Sequence, residues 1–172
     1  MQGLAMQGAR FAIELAPLAA PAASGMESVE YLVAANAGTT LRPLSKVASG
    51  GELSRISLAF QVVASEVARV PTLIFDEVDV GIGGRVAEVV GRLLRRLGER
   101  YQVLCITHLP QVAACGNSHW QVAKRLEGGR TVSSIQPLSE AERVEEVARM
   151  LGGEQITDTT RQHAAELLTL AH

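Results

Sequence analysis

Apolar positions along the chain change period several times, and each change marks an element. Phe11–Leu15 and Val29–Ala35 read as strands, and the Pro/Ala/Ser/Gly stretch Pro17–Gly25 between them predicts a flexible connection. Leu41–Val47 reads as irregular. Leu53, Ile56, Leu58, Ala59, Val62 and Val63 then predict a largely apolar helix, from Ser49-Gly50-Gly51-Glu52 to about Arg69, with Pro71 ending it. Thr72–Phe75 is a short apolar run between Pro71 and two carboxylates, which predicts a strand buried on both faces of a parallel sheet. Beyond Gly81, Gly83 and Gly84, residues Val86, Val89, Val90, Leu93, Leu94 and Leu97 recur at helical spacing. Arg92, Arg95, Arg96 and Arg100 lie mostly opposite, as in an amphipathic crossover helix. Gln102–Thr107 predicts a second buried strand and Leu109–Ala114 a short helix. His119–Lys124 and Thr131–Gln136 follow as edge strands around Gly128-Gly129, and helices over Ser139–Leu151 and Thr157–Leu170 close the chain. Strand, helix, strand, helix in this order predicts an α/β fold with a parallel-sheet core, flanking helices and an N-terminal strand pair.

Composition narrows the class. The 172 residues are 47% hydrophobic, enough for one substantial core, so residues 1–172 are expected to form a single domain. Aromatics are 3%, which predicts a core of Val, Leu, Ile and Ala. A formal net charge of -2 supplies no general basic field, so contact with nucleic acid has to be local or made by another part of a larger protein. Cys105 and Cys115 form neither a disulfide framework nor a metal-ligand cluster, which suits a reducing cytosol. No apolar stretch reaches the roughly 18 residues of a membrane span, and no leader pattern opens the chain, so a soluble, cytoplasmic protein is expected.

Candidate chemistry gathers at predicted strand ends. In an open parallel sheet, ligands bind beyond the carboxyl ends of the strands. The two most apolar strands end in Asp76-Glu77 and in Thr107-His108, and parallel strands share one such edge. Adjacent carboxylates can simply cap a turn; in a functional reading Asp76 holds Mg²⁺, largely through water, and Glu77 orients the water that attacks a γ-phosphate. His108 is either a hydrogen-bonded structural histidine or a γ-phosphate contact. Ser49-Gly50-Gly51-Glu52-Leu53-Ser54-Arg55 is the second constellation. Ser49 suits a helix N-cap, and a helix start bare of side chains at two glycines also lets backbone N–H groups approach a phosphate.

Ser49 to Arg55 resembles the signature motif of ABC ATPases, Thr72 to Glu77 a Walker B strand with its catalytic glutamate, Val78 to Gly84 the D-loop region, and His108 the switch histidine. The wider runs Leu44 to Arg55, Phe75 to Gly84 and Thr107 to Ala113 resemble the RecN family of SMC-like DNA repair ATPases, and the likeness reaches the Leu151-Gly152-Gly153 turn. The resemblance implies the C-terminal lobe of an ABC/SMC-type head, folded with an N-terminal lobe that carries the Walker A loop and a coiled coil. It implies ATP and Mg²⁺ as cofactors, a second head as ATP-dependent homodimer partner, and DNA bound through the full-length protein near the nucleoid. Asp76, Glu77 and His108 would then serve in cis, and Ser49, Gly50, Gly51 and Glu52 would meet the opposing head's nucleotide, with Asp79 near the interface between heads. One departure is decisive. Lys46 follows Ser45 and Lys124 follows Ala123, so this chain has no Gly-Lys-Ser/Thr loop and is expected to be inactive alone.

Other ABC heads remain an alternative, although Glu52 and Val78-Asp79 stand where transporter heads usually carry Gln and a Pro-Thr run. A non-catalytic assembly module is the alternative from another class. The arginines of residues 92–100 read as a solvated helix face, Trp120 as packed at a strand edge and Cys105 as a small core residue.

Overall fold

A computed structural model describes residues 6, 8–46, 50–67, 70–76, 78–153 and 155–171. The chain divides into two compact units, Met1–Ala68 and Arg69–His172.

In the first unit, β1 (Arg10–Ala22) and β2 (Gly25–Ala34) form a long antiparallel hairpin, and β3 (Arg42–Pro43) pairs with β2. The stretch expected to be flexible is therefore mostly strand. Its prolines survive there because the ladder is irregular between Pro17 and Ala22, where a missing N–H costs little. The supposedly irregular segment holds β3 and a 3-10 turn, Leu44–Lys46. Helix α1 (Gly50–Val67) follows. Phe11, Val33 and Tyr31 share one face of the hairpin, and Phe60 of α1 meets it edge-on, 4.9 Å from the Phe11 ring and 5.9 Å from Tyr31. Met6, Val33 and Ile56 complete the core beneath. Phe11 and Phe60 pack against this core, contrary to an all-aliphatic expectation, because large rings bury much apolar surface where a helix meets a hairpin.

In the second unit, β4 (Thr72–Phe75), α2 (Gly84–Leu97) and β5 (Gln102–Cys105) make a βαβ unit with β4 and β5 parallel. Helix α3 (Pro110–Ala114), the hairpin β6 (Trp120–Glu127) and β7 (Arg130–Pro137), and helices α4 (Glu140–Gly152) and α5 (Asp158–Leu170) follow. Ser139 and Glu142 form a capping box at the start of α4, and Thr157 and Thr160 do the same for α5, so both helices begin where free backbone donors are answered. Ala114, Val147, Ala148, Ala164 and Leu168 join α3, α4 and α5 in one aliphatic cluster.

Three expectations differ from the structure. The strands were expected to be buried on both faces, yet Ile74, Leu104 and Ile106 are 68%, 47% and 54% exposed while Phe75 is buried on the other face. Apolar side chains on both faces of a strand need a layer on each side, and the described residues of this unit cover one. Strand β5 also ends at Cys105 rather than Thr107, because residues 107–109 turn to meet the β4 side. Trp120 is 59% exposed instead of packed.

α2 and α3 approach so closely that Gly91 has no room for a side chain. A Cβ built there would lie 2.6 Å from Cys115 Sγ, 3.0 Å from its Cβ and 3.1 Å from the Gln111 carbonyl oxygen. Helix propensity favours Ala over Gly by about 1 kcal/mol, but overpacking costs about 1–3 kcal/mol and part of the clash is with backbone. Gly91→Ala should lower the urea midpoint, with Cys115→Ala in the same chain restoring part of the loss. An unchanged or raised midpoint would show that the helices can part without cost.

Candidate functional site

The register of β4 and β5 sets Phe75 beside Cys105, and the Ile106 N–H donates to the Phe75 carbonyl at 2.9 Å, one step beyond the ladder. Asp76 and Thr107-His108 therefore leave the sheet at the same end, as the motif order predicts. Asp76 is exposed there. Glu77, the expected water-orienting group, and Ser49, the expected cap and phosphate contact, lie outside the described residues.

Asp79 is the buried centre of this end, 1% exposed. One of its oxygens, Oδ2, accepts from the Thr107 hydroxyl and from the His108 backbone N–H at 3.1 Å, and lies 3.3 Å from His108 Nδ1. Thr107 Oγ1 in turn accepts from the Leu109 N–H at 3.0 Å. A buried carboxylate needs hydrogen-bond donors, and these answer one of its two oxygens. The Asp79 carboxylate faces into its own unit. The His108 side chain is 70% exposed, so its ring is held at one edge and open at the other. Thr107 was noted in the sequence only as a polar strand end; nothing local distinguishes it from any threonine, and its partner is 28 residues away.

Cys105 sits under both carboxylates. Burial, then Asp79 and Asp76, push its thiol up to about 12, so it stays protonated near neutral pH and is no nucleophile. Among the described residues, no three of His, Cys, Asp and Glu come together to hold a metal ion. A lone exposed carboxylate such as Asp76 fits Mg²⁺ nonetheless, because that ion keeps several waters and takes its remaining oxygens from nucleotide phosphates.

In the first unit, α1 opens at Gly50, and the Ser54 hydroxyl donates to the Gly50 carbonyl at 3.0 Å. A Cβ at Gly50 would meet nothing within 4 Å. Packing within the chain therefore does not demand glycine there, and the open side suits an approaching ligand. A hollow of about 390 Å³ beside this helix start is lined by Asn36, Thr39, Arg42, Lys46 and Glu52 among others. Arg42 had no part in the sequence expectations, and Lys46 entered them only within the RecN-like run and as a lysine outside a Gly-Lys-Ser/Thr loop.

Among solved structures, the chain is similar to an Smc head domain with a coiled coil and joint from Pyrococcus yayanosii. The TM-score is 0.63 at 22% identity, over 84% of this chain and 26% of that one. It is also similar to a chain from a study of ATP-driven dimerisation and DNA-stimulated activation of SMC ATPases, with a TM-score of 0.62 at 19% identity over 90% of this chain and 89% of that one. The fold is thus that of an SMC-type ATPase head lobe.

Models of known protein families give no match. Among curated proteins, the DNA repair protein RecN of Vibrio cholerae is 51% identical over 172 residues, 99% of this chain. RecN of Bacillus subtilis is 48% identical over 147 residues, 86% of this chain, and RecN of Deinococcus radiodurans 48% over 165 residues, 96% of this chain. The chain belongs to the RecN family, and it spans 31%, 26% and 29% of the length of these three relatives.

Proposed function

We propose that residues 1–172 form the distal half of an ATP-driven head, and that the complete protein hydrolyses ATP in the repair of DNA double-strand breaks and in recombination. The gathering of Asp76, Asp79, Thr107 and His108 at the carboxyl ends of β4 and β5 carries this reading, because that is where an open parallel sheet receives ligands. The uncovered apolar face at Ile74, Leu104 and Ile106 supports it too, as the seat of an N-terminal lobe that would bring the Walker A loop and a coiled coil.

In this mechanism Asp76 holds Mg²⁺ mainly through water. Glu77 orients the attacking water, and the outer edge of His108 meets the γ-phosphate. Mg²⁺ held there would offset the negative charge that develops on the nucleotide's phosphates during hydrolysis. Ser49, Gly50 and Gly51, with Glu52 in the first turn of α1, face the nucleotide of a second, identical head, where backbone N–H groups and the helix dipole answer its charge. Hydrolysis removes that shared phosphate and lets the heads part. DNA is held through the full-length protein, in the cytoplasm at the nucleoid. Among the described residues, no helix is long and apolar enough to cross a membrane.

Nucleotide titration tests the half-site reading. The 172-residue chain should show no measurable ATP turnover, and the full-length protein, or this chain mixed with its N-terminal lobe, should recover it. Turnover by the chain alone with Mg²⁺ at about 1 per second or faster, an ordinary enzyme rate, would overturn the account.

A further inference from the structure

We propose that Asp79 is a positioning residue that acts through His108: it anchors the turn after β4 to the end of β5 and fixes the imidazole with Nε2 outward. The inference rests on the ATPase reading above and adds to it a role that the motif does not assign. Asp79 is almost fully buried, while the His108 side chain is 70% exposed, so the pair joins a buried fixed point to a ring that reaches out of the unit. The anchoring is threefold. Asp79 Oδ2 accepts from the Thr107 hydroxyl, accepts from the His108 N–H at 3.1 Å and lies 3.3 Å from Nδ1. The first two contacts fix the backbone that bears the ring, and the third favours the tautomer with its proton on Nδ1. Nε2 is then the atom left to meet a phosphate oxygen. The Ile82 N–H donates to the Asp79 carbonyl at 3.3 Å, so the same residue also closes the turn that follows the acidic pair. Any shift of that turn moves Asp79, and with it His108.

The test is a double-mutant cycle in the full-length protein, reading ATP turnover and ATP-dependent head pairing. Asp79→Ala should lower kcat about 10- to 100-fold, the scale known for partners that orient metal-bound histidines, with KM for ATP and pairing nearly unchanged. Added to His108→Ala, it should lower turnover no further, because both substitutions remove one unit. Thr107→Val, which keeps the volume and removes one donor, should give a smaller loss that His108→Ala also absorbs, and it serves if Asp79→Ala does not fold. Multiplying losses, or a loss borne by KM, would overturn the positioning role while leaving the ATPase reading intact. A full-length wild type without ATP turnover would overturn the ATPase reading itself, and this role with it.

Discussion

Glu77→Gln in the full-length protein should slow ATP hydrolysis by about 100-fold or more while ATP-dependent head pairing persists. The substitution keeps the shape of the side chain and removes the charge that, in the proposed mechanism, orients and polarises the attacking water, a contribution typically worth about 10²–10⁴-fold. In the proposed mechanism, pairing depends on nucleotide held between heads by the signature glycines of one and the Walker A loop of the other. It should therefore survive, and the paired state should last longer because its release awaits hydrolysis. Single-turnover kinetics with sizing of the nucleotide-bound state reads both effects. Wild-type turnover in the variant would remove Glu77 from the mechanism, and loss of pairing would assign it to binding instead.

Arg143→Ala should destabilise the second unit by about 2–4 kcal/mol, mainly through the cavity left by its buried side chain, with a smaller part from the lost hydrogen bond to half-buried Gly116. Arg143 is 2% exposed; it donates to the Gly116 carbonyl at 2.7 Å and the Asn117 carbonyl at 3.5 Å, tying α4 to the loop before β6. Its 3.6 Å contact with Glu140, whose side chain is 89% exposed, adds little because water screens it. Once the guanidinium is gone the carbonyl of half-buried Gly116 loses its charged donor, while exposed Asn117 can turn to water. Chemical denaturation of the wild type and the variant measures the difference, and a change below about 0.5 kcal/mol, the scale of an ordinary surface substitution, would refute it.

The variant should also respond differently to acid. Burial, and next the Arg143 charge, hold the half-buried His119 imidazole below its usual range. As pH falls through that range the unfolded chain takes up a proton that the native chain refuses, so stability is lost toward acid. Without Arg143 the depression is smaller, and less stability should be lost over the same interval.

The helices were legible because their information is local. Ser139 with Glu142 and Thr157 with Thr160 mark starts that the capping boxes of α4 and α5 realise, and the apolar spacing from Val86 to Leu97 gives α2 within two residues. Half of the candidate site was legible for the same reason. Asp76 and His108 each follow a short apolar run, and parallel pairing of those runs sends both to one end. The Pro17–Gly25 segment misled because proline and glycine ordinarily break strands, while here long-range pairing of β1 with β2 and one irregularity override local preference.

By itself the sequence determined the order of elements, the motifs and the absence of a phosphate-cradling lysine loop, since periodicity, caps and spacing are properties of neighbours along the chain. Tertiary structure alone decided that Asp79 turns inward onto Thr107 and His108, that Gly91 is filled by Cys115, and that one face of β4 and β5 stays bare. Each of these joins residues more than 20 positions apart or turns on what packs above a strand. Such contacts follow from how packed elements satisfy buried polar groups and exclude volume, and no local pattern encodes them.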